Sequence, residues 1–462
     1  MINYEFAGVL SSVTVLTVTF IVINIIFLKL YKPKIYSFFW LYFLYSLFFY
    51  YIKTMLIHPG FLGVMPSRHD LSYFFSNPLF NERLYEYTST ALSIYSIAYI
   101  ILLIGLFIGS KLRVTGKILA HNNEYFNENI LLILFLVFNW GSFAFRRYYN
   151  AGLPTITSAD EFFANYSWYF FEMGSVIIMV YCHYFFMKKN RHIIFHLIII
   201  LNYGISSLLL GWKSGIILAA IYYVIVCLIE RWTNSIKKIM KIFLILIPIL
   251  FLVIISFEYI TQIRNLLNNQ DSKIEDISKT IPLSSAQKRQ ELIRRILGIE
   301  PFTIILYYDN EKLRNKVSFF KNLFQRGTYQ PTEYLMYDVL KLERRTSLTQ
   351  THSESPTGIG VLFIYGGMTG VLIGFFAIGL FSGFLEVNLK SKIFSRSDRI
   401  LIYSVSYAFF IPFFWIEGNS VFFMKRYLGS FLFMFFIFKL LTLIMNKLSC
   451  RECKEINLQE DQ

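Results

Sequence analysis

The feature that most constrains this chain is a series of apolar runs, each long enough to cross a bilayer. A spanning helix needs roughly 17 to 25 predominantly apolar residues, and about eleven such runs follow one another here. They are Phe6 to Leu30, Tyr36 to Ile57, Ala91 to Ser110, Asn129 to Phe145, Tyr166 to Met187, His192 to Leu210, Ser214 to Ile229, Met240 to Glu258, Thr357 to Glu386, Ile400 to Ile416 and Val421 to Met445. With 55% hydrophobic and only 16% charged residues over 462 positions, the composition excludes a soluble domain. The expected fold is all-α, because only self-bonded helices or closed barrels can span lipid and these runs have helix length. It divides into a membrane bundle over 1–257 (spans one to eight), a large extracytoplasmic loop over 258–356, a second membrane segment over 357–446 (spans nine to eleven) and a cytoplasmic tail over 447–462. Met-Ile-Asn-Tyr-Glu-Phe lacks the basic flank of a cleaved signal, so the first run reads as a retained span.

Alternate connections must share a side of the membrane, and the basic residues sort accordingly. Lys29, Lys32 and Lys34 follow span one; Lys111, Arg113 and Lys117 follow span three; Lys188, Lys189 and Arg191 follow span five. Arg231, Lys237 and Lys238 follow span seven, Lys390, Lys392 and Arg396 follow span nine, and Lys447, Arg451 and Lys454 follow span eleven. Basic residues are retained on the cytoplasmic side, which sets the N-terminus outside and the C-terminus inside. The same rule absorbs most of the net charge of +15, so no nucleic-acid partner is implied. Long loops cross largely regardless of charge, so the 258–356 interval lies outside. Two stretches in it, Ala286 to Leu297 and Pro331 to Leu342, carry apolar residues at helical spacing and are expected to lie on the membrane surface. Arg289, Arg294, Arg295 and Tyr334 would then face water. Of the four cysteines, Cys182 and Cys227 fall in apolar runs, and the Cys450-x-x-Cys453 pair has no second pair or His with which to hold zinc.

Charges that the topology does not require carry the functional signal. Arg146 and Arg147 end span four, Lys213 sits after Trp212 in the short outer turn between spans six and seven, Arg264 follows span eight, and Lys425 and Arg426 stand at the outer end of span eleven. Glu172 lies about two turns inside span five, and Glu417 ends span ten. Snorkelling or local pairing explains any one of these, since a central charge costs about 2.5–3.5 kcal/mol on insertion scales and less near an end. Four separate segments each placing a cation at one depth suit a phosphate or pyrophosphate presented at the outer leaflet. His352, just before span nine, and Asp70, beside His69 and Arg68, are the candidate bases. Gly366, Gly367 and Gly370 in span nine read as small-residue contacts between helices. No P-loop, dinucleotide fingerprint or His-Glu-x-x-His is present, and no cofactor is called for.

The many spans, the outer Arg146-Arg147 with Gly152-Leu-Pro154, the Gly211-Trp212-Lys213 element and the large outer loop entering a Gly-rich span together resemble the Wzy-type repeat-unit polymerases of bacterial O-antigen and capsule synthesis. More distantly they resemble the O-antigen ligases, in which a His followed by a small polar residue precedes a Gly-x-x pattern. His352-Ser353 and Gly367-Met-Thr-Gly370 are similar to that pattern at a longer separation, and Lys213 stands where Arg is common; both departures favour polymerase over ligase. The resemblance implies a metal-independent, inverting glycosyl transfer at the outer face of the bacterial inner membrane. Donor and acceptor would be oligosaccharides on undecaprenyl pyrophosphate, with membrane lipids around them and a chain-length regulator as a further partner. Arg146, Arg147, Lys213, Arg264, Lys425 and Arg426 would bind pyrophosphate, His352 or Asp70 would be the base, and Glu172, Glu417 and Trp212 would support the site. A lipid-linked oligosaccharide flippase is the alternative from another class, and it should show broken helices and polar residues near the midplane.

Overall fold

The computed structural model describes residues 2–52, 54, 78–114, 128–148, 159–189, 191–209, 214–231, 299–309, 311–324, 330–339, 356–389, 391, 395–412 and 426–441. These residues are helical with short connections, and no strand occurs among them. In chain order the helices are α1 (Ile2–Tyr31), α2 (Phe38–Tyr45, continued by a wider π-helical turn over Ser46–Ile52), α3 (Pro78–Gly109), α4 (Glu128–Tyr148), α5 (Ala159–Lys188), α6 (Ile193–Leu209) and α7 (Ser214–Arg231). Then come α8 (Glu300–Tyr307), α9 (Glu311–Arg314), α10 (Phe319–Phe324), α11 (Pro331–Glu333, continued by π turns over Tyr334–Val339), α12 (Thr357–Asn388), α13 (Arg396–Val405, continued over Ser406–Phe410) and α14 (426–441).

Five of these helices hold segments long and apolar enough to cross a membrane: Ser12–Tyr31, Tyr87–Gly109, Asn129–Arg146, Ser167–Lys188 and Thr357–Asn388. They mark a membrane protein and coincide with the expected spans one, three, four, five and nine. Phe38–Ile52, Ile193–Ser207 and Gly215–Glu230 are apolar but shorter, and they fall on spans two, six and seven. The expected span eight lies outside the described residues.

The chain forms two compact units. The first comprises Met1–Val114, Ser278–Lys390 and Phe410–Met424. Its core is the packing of α3 on α12, where Gly105 and Gly109 face Gly379 and Gly383. A Cβ at Gly379 would strike the Leu102 carbonyl, and one at Gly383 the Leu106 carbonyl, so the backbones touch where only glycine fits. Around this contact sits an aromatic cluster joined by hydroxyl hydrogen bonds. Phe20 lies 4.4 Å from Tyr51 and 4.8 Å from Tyr99, ring to ring. The Tyr99 hydroxyl donates to Asn24 Oδ1 (2.7 Å), and the Ser46 and Tyr95 hydroxyls bond at 2.6 Å.

Helix α12 is not the single rod that the sequence suggests. Gly366 (φ −152°, ψ 19°) and Gly367 (φ 59°, ψ −148°) leave the helical region, and a positive φ of this kind is cheap only for glycine. Eight residues of straight helix rise about 12 Å, yet a Cβ added at Gly370 would lie 2.5 Å from the Leu362 carbonyl oxygen. The chain therefore doubles back, and a short arm before the glycine pair folds against the longer segment after it. This corrects the expectation that Gly366 and Gly367 mediate helix-to-helix contact; Gly370 makes such a contact with the arm at Leu362, and Gly379 and Gly383 make it with α3. The arm is gripped by α8 and the residues that follow it. Phe302 of α8 meets Phe363 edge-on at 5.5 Å, Ile305 abuts Gly360, and the Arg314 guanidinium lies 4.9 Å from the Phe363 ring centroid and is ion-paired with Asp309 (3.2 Å).

The expectation for Pro331 to Leu342 is also corrected. Tyr334, Leu335 and Val339 are buried, so over its described residues this piece turns its apolar side into the unit rather than onto lipid. Its start is fixed by a capping box, in which Glu333 accepts from the Gln330 backbone N–H (2.8 Å). The exposed apolar side chains belong to α10 instead, where Phe320 and Phe324 stand on one helical face. The other stretch, Ala286 to Leu297, lies outside the described residues.

The second unit comprises Thr115–Ile277, Ser391–Phe409 and Lys425–Gln462. Helix α5 is at its centre, buried almost continuously from Met173 to Met187, as expected of a helix apolar on all sides. It packs on α4 through two glycine contacts, Gly141 under Phe171 and Gly174 under Phe138. Polar ties hold the other helices. Ser206 donates to Asn139 (2.9 Å) between α6 and α4, Trp140 Nε1 donates to Asn202 (3.1 Å), and Arg396 pairs with Glu230 (2.9 Å) between α13 and α7. Asp398 accepts from Tyr181 (2.8 Å) and pairs with Lys439, which joins α13, α5 and α14.

Candidate functional site

In the second unit, the C-terminal end of α4, the start of the apolar part of α5 and the beginning of α14 come together. The local sequence explains why. Ser-Trp-Tyr-Phe-Phe-Glu on α5 sets Trp168 and Tyr169 one turn before Glu172, and these two rings, 4.6 Å apart, form an aromatic platform. Tyr427 closes it edge-on, 4.8 Å from Tyr169 and 6.2 Å from Trp168. Two arginines expected to bind pyrophosphate lie on this platform. The Arg146 guanidinium is 4.8 Å from the Trp168 ring centroid, and that of Arg426 is 5.8 Å from the Tyr169 centroid. Each ring attracts its cation at about 0.5–2 kcal/mol, depending on desolvation. The stacking orients the two guanidinium planes against the rings. Arg146 also ends α4, where the helix dipole favours a cation on its own account.

Glu172 lies one turn further along α5, a rise of about 6 Å from Trp168 and about 4.5 Å from Tyr169. It is buried, and both carboxylate oxygens accept hydroxyls: Ser142 donates to Oε2 (2.5 Å) and Tyr203 to Oε1 (2.7 Å). No ion pair joins Glu172 to a cation among the described residues. The Tyr222 hydroxyl, within electrostatic reach of the carboxylate, and the Ser175 hydroxyl, one turn further along α5, are fully buried without hydrogen-bond partners. Buried polar groups are normally bonded, so two such hydroxyls beside a carboxylate set this place apart.

Of the residues singled out in the sequence, Arg146, Arg426 and Glu172 are thus brought together. Arg147 lies in α4, and its side chain is outside the described set. Asp70, Trp212, Lys213, Arg264, His352, Glu417 and Lys425 also lie outside the described residues. The sequence reading missed Trp168, Tyr169, Tyr203, Tyr222 and Tyr427, because in an apolar run a tyrosine looks like packing until its partners are known. The one available signal was spacing: Trp168 and Glu172 stand four apart on one helix face. No three His, Cys, Asp or Glu side chains gather as a metal site would require among the described residues. No protein-family model matches the chain, and no curated protein or solved structure matches it either.

Proposed function

We propose that this chain is a membrane glycosyltransferase that joins oligosaccharide repeat units, carried on undecaprenyl pyrophosphate, into a surface polysaccharide at the outer face of the bacterial inner membrane. In this reading it has eleven spans, a periplasmic N-terminus and a cytoplasmic C-terminus. The observation that carries the reading is the placement of Arg146 and Arg426 on the Trp168–Tyr169 platform, one turn from the buried Glu172. Fixed guanidinium groups are suited to a departing pyrophosphate because their charge is already in place when negative charge develops on it. An aromatic platform beside them suits the apolar face of a sugar ring. Lys213, Arg264 and Lys425 would extend the cation set.

The test is a gel of surface polysaccharide from a strain lacking the gene. Glycan capped by a single repeat unit supports polymerisation. Long glycan accumulating on undecaprenyl pyrophosphate makes the protein a ligase that moves finished chains. Single units held on the inner leaflet make it a flippase. That last reading has one observation in its favour, the break at Gly366 and Gly367, since transporters build sites from interrupted helices. It is weaker because the polar cluster around Glu172 is built on an unbroken α5.

A further inference from the structure

A glycosyl transfer needs a group to take the proton from the attacking hydroxyl, and the described residues hold one carboxylate beside the cation platform. We infer that Glu172 is the proton acceptor of the transfer, a role that rests on the reading above. In the step, the hydroxyl oxygen of the acceptor sugar bonds to the anomeric carbon of the donor. The bond from that carbon to the pyrophosphate oxygen breaks, and its electron pair leaves with undecaprenyl pyrophosphate. The hydroxyl proton passes to a Glu172 carboxylate oxygen and is later released to water.

Four observations converge on this residue. The first is position: Glu172 stands one helical turn along α5 from Trp168 and Tyr169, the rings on which Arg146 and Arg426 lie. The second is acceptor capacity. Ser142 and Tyr203 donate one hydroxyl hydrogen bond to each oxygen, and a carboxylate so bonded keeps further lone pairs with which to accept a proton. The third is cost. An acidic side chain inside an apolar span is expensive, and no cation offsets Glu172 among the described residues. Tying α4 to α6 does not require it, because a glutamine carbonyl oxygen can accept both hydroxyls. The fourth is the pair of buried hydroxyls without partners, Tyr222 and Ser175, which can orient sugar hydroxyls at the carboxylate.

The experiment is a pair of strains whose only copy of the gene carries Glu172→Gln or Glu172→Asp. Rates of glycan lengthening are measured, and binding of undecaprenyl pyrophosphate to the purified full chain in nanodiscs is measured in parallel. Glu172→Gln is expected to slow lengthening at least about 100-fold, the lower end of what a general base contributes, with abundance and binding unchanged. Glu172→Asp keeps intermediate activity.

Normal lengthening by Glu172→Gln overturns the inference, as does loss of lengthening accompanied by loss of abundance or binding, which marks a structural carboxylate. If deleting the gene leaves glycan length unchanged, the polymerase reading itself fails and the inference with it. If deletion leaves single units while Glu172→Gln polymerises, only the role of Glu172 fails.

Discussion

Glu386 and Glu172 both stand among apolar helices, and their surroundings differ in kind. Glu386, near the end of α12 in the first unit, accepts the Tyr31 hydroxyl (2.6 Å), the Ser37 hydroxyl (2.7 Å) and the Phe38 backbone N–H (2.6 Å). The last two belong to the start of α2, where Ser37 is the N-cap, so the carboxylate completes the capping of one helix and ties α1 and α2 to α12. It is a saturated staple at the end of a span, where charge is cheap. Glu172 in the second unit lies inside a span and accepts side-chain hydroxyls only, with two further buried hydroxyls beside it that bond to nothing. A carboxylate whose donors include a helix terminus is explained by the fold. One surrounded by surplus donors calls for a ligand.

Substitutions sharpen that contrast. The largest expected effect is on activity: Glu172→Gln removes proton acceptance and lowers lengthening by about 10²–10⁴-fold while the melting temperature in detergent stays where it was. Glu386→Ala behaves in the opposite way. It strands two hydroxyls and a backbone N–H at about 1–3 kcal/mol for each group left buried and unsatisfied, so the protein melts lower and glycan lengthening falls only in step with abundance. A melting temperature that drops for Glu172→Gln as far as for Glu386→Ala would erase the distinction. Next come Arg146→Ala and Arg426→Ala, each removing charge-assisted hydrogen bonds worth about 1.5–3 kcal/mol. Binding of undecaprenyl pyrophosphate to the purified protein is expected to weaken at least tenfold in each, and the Trp168 platform should keep Arg146→Lys closer to wild type.

The smallest effect belongs to Asp309, between α8 and α9. Burial lifts its carboxyl above the ordinary value although Arg314 draws it back, so the folded state holds the proton more tightly than the unfolded chain. The contribution of Asp309 to stability is then present at low pH and lost as pH rises through the raised value. Asp309→Asn should therefore leave the melting temperature at neutral pH unchanged or slightly raised, by well under 1 kcal/mol for so exposed a pair. A clear loss of stability would show that the Arg314 pair outweighs burial.

Hydropathy alone determined that this is a membrane protein made of helices, because apolar runs of bilayer length leave the backbone no other way to satisfy its hydrogen bonds. It also located Arg146, Arg426 and Glu172, since charges that topology does not require stand out against an apolar background. The sequence could not separate Glu172 from Glu386, because a carboxylate's meaning lies in its donors, and Ser142 and Tyr203 are 30 and 31 residues from Glu172. It misread Pro331 to Leu342, whose helical spacing of apolar residues is the same whether the buried face meets lipid or protein. It also read Gly366 and Gly367 as contact residues. Gly366 and Gly367 turn the chain, whereas Gly379 and Gly383 admit the backbone of α3. Hydropathy is a property of each residue and survives in the linear chain. Which face a helix turns inward, and which donors meet which carboxylate, depends on partners that only the packed structure brings together.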